Sequence, residues 1–177
     1  MIETLSVASL NSPQLTRLDA YWRLRCAGRD MPQRADIDPV DLKPILPKII
    51  LSRIEYAPLR ILYTVVGTQC VATAGFDYTG YYLDELDMSA EIDTHWPTLY
   101  QRIIAERRPI FGTCHTALSN GQARPYTAGL YPLSDDKAQI SHVICLEDMP
   151  FEIEDQLLMV PTVPIVIKPR NGGRAAG

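Results

Sequence analysis

No run in this 177-residue sequence approaches the ~20 apolar positions that a membrane-crossing helix needs. The opening residues MIETLSVASLNSP hold neither a basic leader nor a long apolar core, so no secretory signal is read and a cytoplasmic location is expected. Cysteine is sparse and scattered. Cys26, Cys70, Cys114 and Cys145 each stand alone, without a C-x-x-C pair, which leaves zinc ribbons, thioredoxin-like sites and c-type haem attachment unsupported. Their apolar neighbours mark them as reduced, buried thiols. Excess positive charge is also missing: the formal net charge is -4, which argues against a nucleic-acid partner. The one basic concentration, Arg102 with Arg107 and Arg108, sits late in an expected helix and suits its dipole. Neither G-x-x-x-x-G-K-[ST], G-x-G-x-x-G nor G-x-S-x-G occurs, so phosphate loops and serine nucleophile elbows are unsupported. No two histidines have the spacing of metal ligands on a helix.

What remains is an ordinary globular composition, 46% hydrophobic and 21% charged, in a chain long enough to bury a core. A helix is expected from Asn11 or Ser12, with Pro13 inside its first turn and Gly28 as its stop. Leu15, Leu18, Trp22 and Cys26 fall on one stripe, which can pack on the rest of the domain or on a second copy of the chain. Three prolines, Pro32, Pro39 and Pro44, break the next stretch, and a short helix over Pro39 to Leu46 capped by Asp38 is expected. Two strands, Ile49–Tyr56 and Arg60–Gly67, form a hairpin. In the second, Ile61, Tyr63 and Val65 share one face. Short helices follow at Gln69–Ala74 and Tyr82–Leu86. A longer one covers Pro97–Arg107, capped by Thr94 or Asp93, with Leu99, Ile103 and Ile104 facing inward. Three more strands, Pro109–Leu118, Ala123–Leu133 and Gln139–Glu147, are separated by Ser119-Asn120-Gly121 and by Ser134–Lys137. The solution is an α+β fold: a five-stranded antiparallel sheet with short helices on one face and an additional N-terminal helix. It divides into an N-terminal helical extension over 1–47, the sheet domain over 48–149, and an extended or disordered tail over 150–177.

The stretches YWRLRCAGRDMPQRADIDPVDLKPILPKI, YTVVGTQCVATAGFDYTGYYLDEL and LYPLSDDKAQISHVI resemble a family of small bacterial PAS-like proteins. Trp22, Arg25, Arg34, Asp36, Asp38 and Pro39 carry the N-terminal part of the likeness, with Ala27-Gly28 where that family has glycine. Val66-Gly67-Thr68, Thr79-Gly80 and Pro132-Leu133-Ser134 carry the rest, in the right order, over roughly residues 15 to 148. Lys137 stands where the family often has glycine. The resemblance implies a PAS-like sheet whose crossing segment, after the second strand, forms one wall of a cavity.

Tyr63, Val65, Phe76, Tyr78, His115 and Tyr126 are the residues expected to line that cavity, apolar bulk with a few polar ends, or else to fill it as core. Leu15, Leu18 and Trp22 are expected at a dimer or partner interface. The cofactor is unknown. The cysteine motif of flavin photosensors is missing, and His115 and His142 leave haem open without a motif to support it. Cys114 and His115 are neighbours in a strand and point to opposite faces, so they form no dyad. Arg25-x-x-x-Arg29 is half of a cyclic-dinucleotide motif whose second half is absent. Arg34, Asp36 and Asp38 read as a capping and pairing network. The expected function is a sensory or regulatory module, without catalysis, that binds a small molecule or a signalling protein, acts in trans and forms a homodimer. A ligand-free interaction adaptor and a small enzyme using the cavity are the alternatives.

Overall fold

The computed structural model describes residues 6–88, 91–117, 122–136 and 138–149. The expected Ser119-Asn120-Gly121 turn, Lys137 and the tail from 150 lie outside the described residues.

Helix α1 spans Pro13–Cys26. The Ser12 hydroxyl accepts from the Leu15 amide at 3.1 Å and Pro13 sits in the first turn, where a missing N–H costs nothing. Ala27 and Gly28 both take positive φ and end it. Where a short helix over Pro39–Leu46 is expected, the chain makes successive three-residue turns, such as Leu42 N–H to Pro39 C=O at 3.2 Å, before a 3-10 turn at Leu46–Lys48. Pro44 has no amide to continue a helical ladder, which accounts for the difference.

Strand β1 (Ile49–Tyr56) and strand β2 (Leu59–Val66) form the expected hairpin through the two residues Ala57-Pro58. Helix α2 covers Thr68–Ala74 and stops at Gly75, φ 78. A 3-10 turn at Leu83–Glu85 leads on to helix α3, Trp96–Glu106. Its cap position is His95, whose Nδ1 meets Thr98 Oγ1 at 2.7 Å, rather than Thr94 or Asp93. Strands β3 (Ile110–Ala117), β4 (Ala123–Leu133) and β5 (His142–Asp148) complete the sheet. β5 begins later than Gln139 because Asp136 gathers the amides of Ala138 and Gln139, each at 2.9 Å, into a side-chain-held turn.

The strand order is β2-β1-β5-β4-β3, antiparallel throughout. The first and last strands therefore meet at the centre. One face of the sheet, here the inner face, receives α3: Ser52 of β1 meets the Tyr100 hydroxyl at 3.0 Å. The outer face carries α1. Trp22 packs on Tyr131 with ring centroids 6.1 Å apart, and its indole N–H donates to the Pro132 carbonyl at 2.9 Å.

This placement corrects the interface expectation. Leu15 and Leu18 are fully buried and Trp22 is 4% exposed within a single chain. The outer face presents Tyr131, Ile144 and Leu146, all buried, and the stripe of α1 is the apolar surface that covers them. The 31–45 segment adds Met31, Ile37, Leu42 and Ile45 to the same core. Asp36 accepts from the Gln33 amide at 2.8 Å and pairs with Arg29 at 2.5 Å, so the charged run caps and braces that segment.

Candidate functional site on the inner face

Directly opposed residues in an antiparallel sheet share a face, so the register assigns the inner lining. Ser52 stands opposite both Tyr63 and Val143. Two residues along β5, Cys145 lies between Ile50 and Leu130. Two further, Glu147 faces Ala128 of β4, which faces Gly112 of β3. Cys114 and Tyr126 make the next pair. This row holds one glutamate between two small residues, alanine and glycine.

The opposite wall comes from the crossing segment. Tyr78 packs edge-on against Tyr63, centroids 5.1 Å apart, and Phe76 lies 5.9 Å from Tyr78. Cys70 of α2 and Tyr100 of α3 are buried beside them. Glu91 accepts from the Tyr126 hydroxyl at 2.7 Å.

Glu147 is the polar group at the centre of this lining. It retains some accessible surface, while burial and then the charge of Glu91 push its carboxyl up to about 8. Among the described residues nothing donates a hydrogen bond to Glu147 and no cation pairs with it. Burial likewise raises Glu91 to about 7, against the stabilising bond from Tyr126. The phenols of Tyr63, Tyr78 and Tyr126 are pushed up chiefly by burial and stay protonated at neutral pH. Burial raises the thiols of Cys70, Cys114 and Cys145 too, so they are poor nucleophiles.

Of the six residues expected at a cavity, Tyr63 and Tyr126 are buried on the inner face, Tyr78 is buried against Tyr63, and Phe76 is half-buried beside Tyr78. Val65 and His115 lie elsewhere. The β1–β2 register slips between Leu51 and Ser52, leaving Thr64 as an extra residue whose hydroxyl bonds the Leu51 carbonyl at 3.0 Å. The bulge turns Val65 to the outer face, 45% exposed, and puts Val66 inward. His115 alternates with Cys114 and so faces outward on edge strand β3. There its Nδ1 meets Asp93 at 2.8 Å, its amide donates to Asp93 at 3.0 Å, and its carbonyl accepts from Ile92. An Asp-His pair therefore exists across 22 residues of sequence, where the 91–93 segment runs along edge strand β3, with Cys114 turned the other way.

The residues that sequence reasoning missed are Glu147, Glu91, Ser52 and Tyr100. Glu147 carries a signal: in HVICLED, the residues alternating with it are Val143 and Cys145, so a carboxylate occupies an apolar phase. A separate surface pocket of about 230 Å³ lies between Gly28, Arg29, Asp30, Met31, Arg107 and Ser134. Its two arginines are engaged, Arg29 with Asp36 and Arg107 with the Ala138 carbonyl.

A family model described as PAS domain matches residues 10–146. Among solved structures, the dark-state LOV domain of the blue-light photoreceptor Aureochrome1 is 11% identical, with 69% of this chain and 89% of that chain covered and a TM-score of 0.47. The PAS domain of Bordetella pertussis BvgS is 16% identical over 68% of this chain and 92% of that one, TM-score 0.40. A fungal LOV domain photoreceptor is 15% identical over 78% and 95%, TM-score 0.44. The comparison with curated proteins gave no match. The family match takes in α1 together with strands from all parts of the sheet, and this chain belongs to the PAS domain family.

Proposed function

We propose that this chain is a sensory module that binds a small molecule over the inner face of its sheet and reports occupancy through α1. PAS domains in general are sensory modules, and the observation that carries the reading for this one is Glu147. A carboxyl in an apolar phase of β5, with no hydrogen bond or ion pair among the described residues and with the small Ala128 and Gly112 beside it, has the chemistry of a polar ligand contact.

The route to α1 is short. Glu147 and Asp148 are consecutive in β5 and point to opposite faces. Asp148 accepts from the Ser12 hydroxyl at 2.5 Å and from Lys48 Nζ at 2.5 Å, holding the start of α1 to the sheet. A molecule that shifts Glu147 moves the strand that carries this anchor. Occupancy signals only if the two arrangements of that anchor differ in affinity for the ligand.

Native and denaturing mass spectra of freshly purified protein, with an absorbance scan, test the reading. A small organic mass present natively and lost on denaturation supports it. A native mass equal to that of the sequence, unchanged across added candidate ligands, contradicts it and favours an adaptor.

A further inference from the structure

We infer that the cleft where the ends of α1 and α3 meet is a second binding site, which takes a small oxyanion, a carboxylate or a phosphate. It lies apart from the inner face, and the inference stands independently of the sensory reading above.

The cleft encloses about 230 Å³ and is lined by Gly28, Arg29, Asp30, Met31, Arg107 and Ser134. Those residues come from three elements. Gly28 to Met31 follow α1 on the outer face, Arg107 caps the C-terminus of α3 on the inner face, and Ser134 directly follows β4. The cleft therefore sits at the end of the sheet, where the two layers come together. Met31 and Ser134 are buried and form its floor, Arg29 and Arg107 are half-buried, and Gly28 and Asp30 are exposed at its rim. Its volume lies below the ~300–1,000 Å³ of drug-sized ligand sites, so the occupant is small.

Local hydrogen bonds hold both guanidinium heads at the cleft. Arg29 donates from Nε to the Cys26 carbonyl at 3.0 Å, and from Nη2 to the Arg25 carbonyl at 3.0 Å and to Asp36 at 2.5 Å. Its Nη1 enters none of the hydrogen bonds among the described residues. Arg107 donates from Nη1 to the Ala138 carbonyl at 2.9 Å. The floor is fixed too: Ser134 donates its hydroxyl to the Gln139 carbonyl at 2.5 Å and its amide to the Pro32 carbonyl at 3.0 Å. Groups already held in place lose little freedom when a ligand arrives.

The lining selects the sign of the ligand. A guanidinium offers N–H donors and no acceptor. Among the lining residues only Asp30 is negative, and it stands exposed at the rim. Asp36, which offsets Arg29, lies outside the lining. An ammonium ligand would meet two cations, and an uncharged one would leave their charge unused. The paired oxygens of a carboxylate or phosphate match the guanidinium fork and accept charge-assisted bonds from it. Both arginines serve one cleft, so a single anion held by both ties the end of α1 to the end of α3.

The test titrates the full chain with inorganic phosphate, with succinate and with uncharged succinamide, at constant ionic strength set by chloride, and follows amide chemical shifts. The expected result is a saturable response to phosphate, to succinate or to both, half-complete at or below about 5 mM and centred on Gly28, Arg29 and Ser134, with none to succinamide. A response to one of the two alone names the anion within the class. Arg107→Gln should weaken binding on the order of tenfold. Asp30→Asn, at an exposed position, should tighten it severalfold, and it keeps the test decisive where the first variant folds poorly. Shifts that stay linear in added anion overturn the inference, as does an equal response to succinamide or a response centred away from the cleft. Affinity unmoved in a folded Arg107→Gln protein, or unmoved in Asp30→Asn, overturns it as well. Each of these results leaves the sensory reading of the inner face standing.

Discussion

A carboxyl group with no donor beside it has two ways to remain inside a protein: it keeps a proton or it meets a ligand. Glu147, whose carboxyl is raised to about 8, keeps its proton at neutral pH, and that has a measurable consequence. Its folded pKa, about 8, lies above that of an unfolded glutamate, so the folded state binds the extra proton between those values. Stability contributed by that proton is complete below the unfolded value and is lost as pH rises through about 8. Glu91 acts in the same sense up to about 7. His142 works oppositely, since burial lowers its pKa below 6.5 and costs stability only on the acid side. Between pH 6.5 and 8 the melting temperature of the protein should therefore fall, and Glu147→Gln should flatten that fall, exceeding the parent in stability by pH 8. Thermal melts of both proteins at matched ionic strength check this. A slope unchanged in the variant would mean that Glu147 is solvated. Glycines give a second residue-scale prediction. A Cβ on Gly67 would stand 2.3 Å from the Pro47 carbonyl oxygen, which is backbone and has nowhere to go. One on Gly129 would meet Leu15 Cδ2 at 2.6 Å, a side chain that can turn. Denaturant titration should place Gly67→Ala as the costlier change, on the order of 3 kcal/mol, and Gly129→Ala at about 1–2 kcal/mol. At this scale the sequence showed the tyrosines and hid the glutamates. Tyr63, Tyr78 and Tyr126 could be read from aromatic content on strands and turns. Glu147 required the phase of β5, and Glu91 required knowing that its segment runs along β3.

Among the elements, α1 departs most from its expected role. Its apolar stripe is legible in the sequence, but a stripe does not say which surface it meets, and here it meets the chain's own sheet. Trp22→Ala should therefore cost about 3–5 kcal/mol, as removal of a packed core aromatic does, and Ser12→Ala about 1 kcal/mol from lost capping. Chemical denaturation measures both. A Trp22→Ala protein as stable as the parent would show α1 to be a loosely attached arm. Strand and helix positions were largely readable because β-branched runs, prolines and turn residues mark them locally. The bulge at Thr64 was not, since it is set by cross-strand pairing with Leu51. That one extra residue reversed the face of Val65. His115 failed for a related reason: alternation was known, but which parity faced inward was fixed only by β4, through the pairing of Cys114 with Tyr126.

Across the whole molecule, the proposed sensing route joins the two faces of one sheet through β5, from Glu147 on one side to the anchor of α1 at Asp148 on the other. The arrangement follows from strand order, because the first and last strands lie together at the middle, where both layers touch them. The deciding measurement is the set of amide chemical shifts recorded while the molecule recovered from the purified protein is titrated back into ligand-stripped protein. Shifts at Ala128 and at Cys145 to Glu147 are expected to titrate together, with one affinity, with shifts at Ser12 to Thr16, while Tyr56 and Leu59 at the far hairpin stay still. Saturation of the inner face with α1 unmoved, or shifts confined to the exposed surface around Val65, would contradict it.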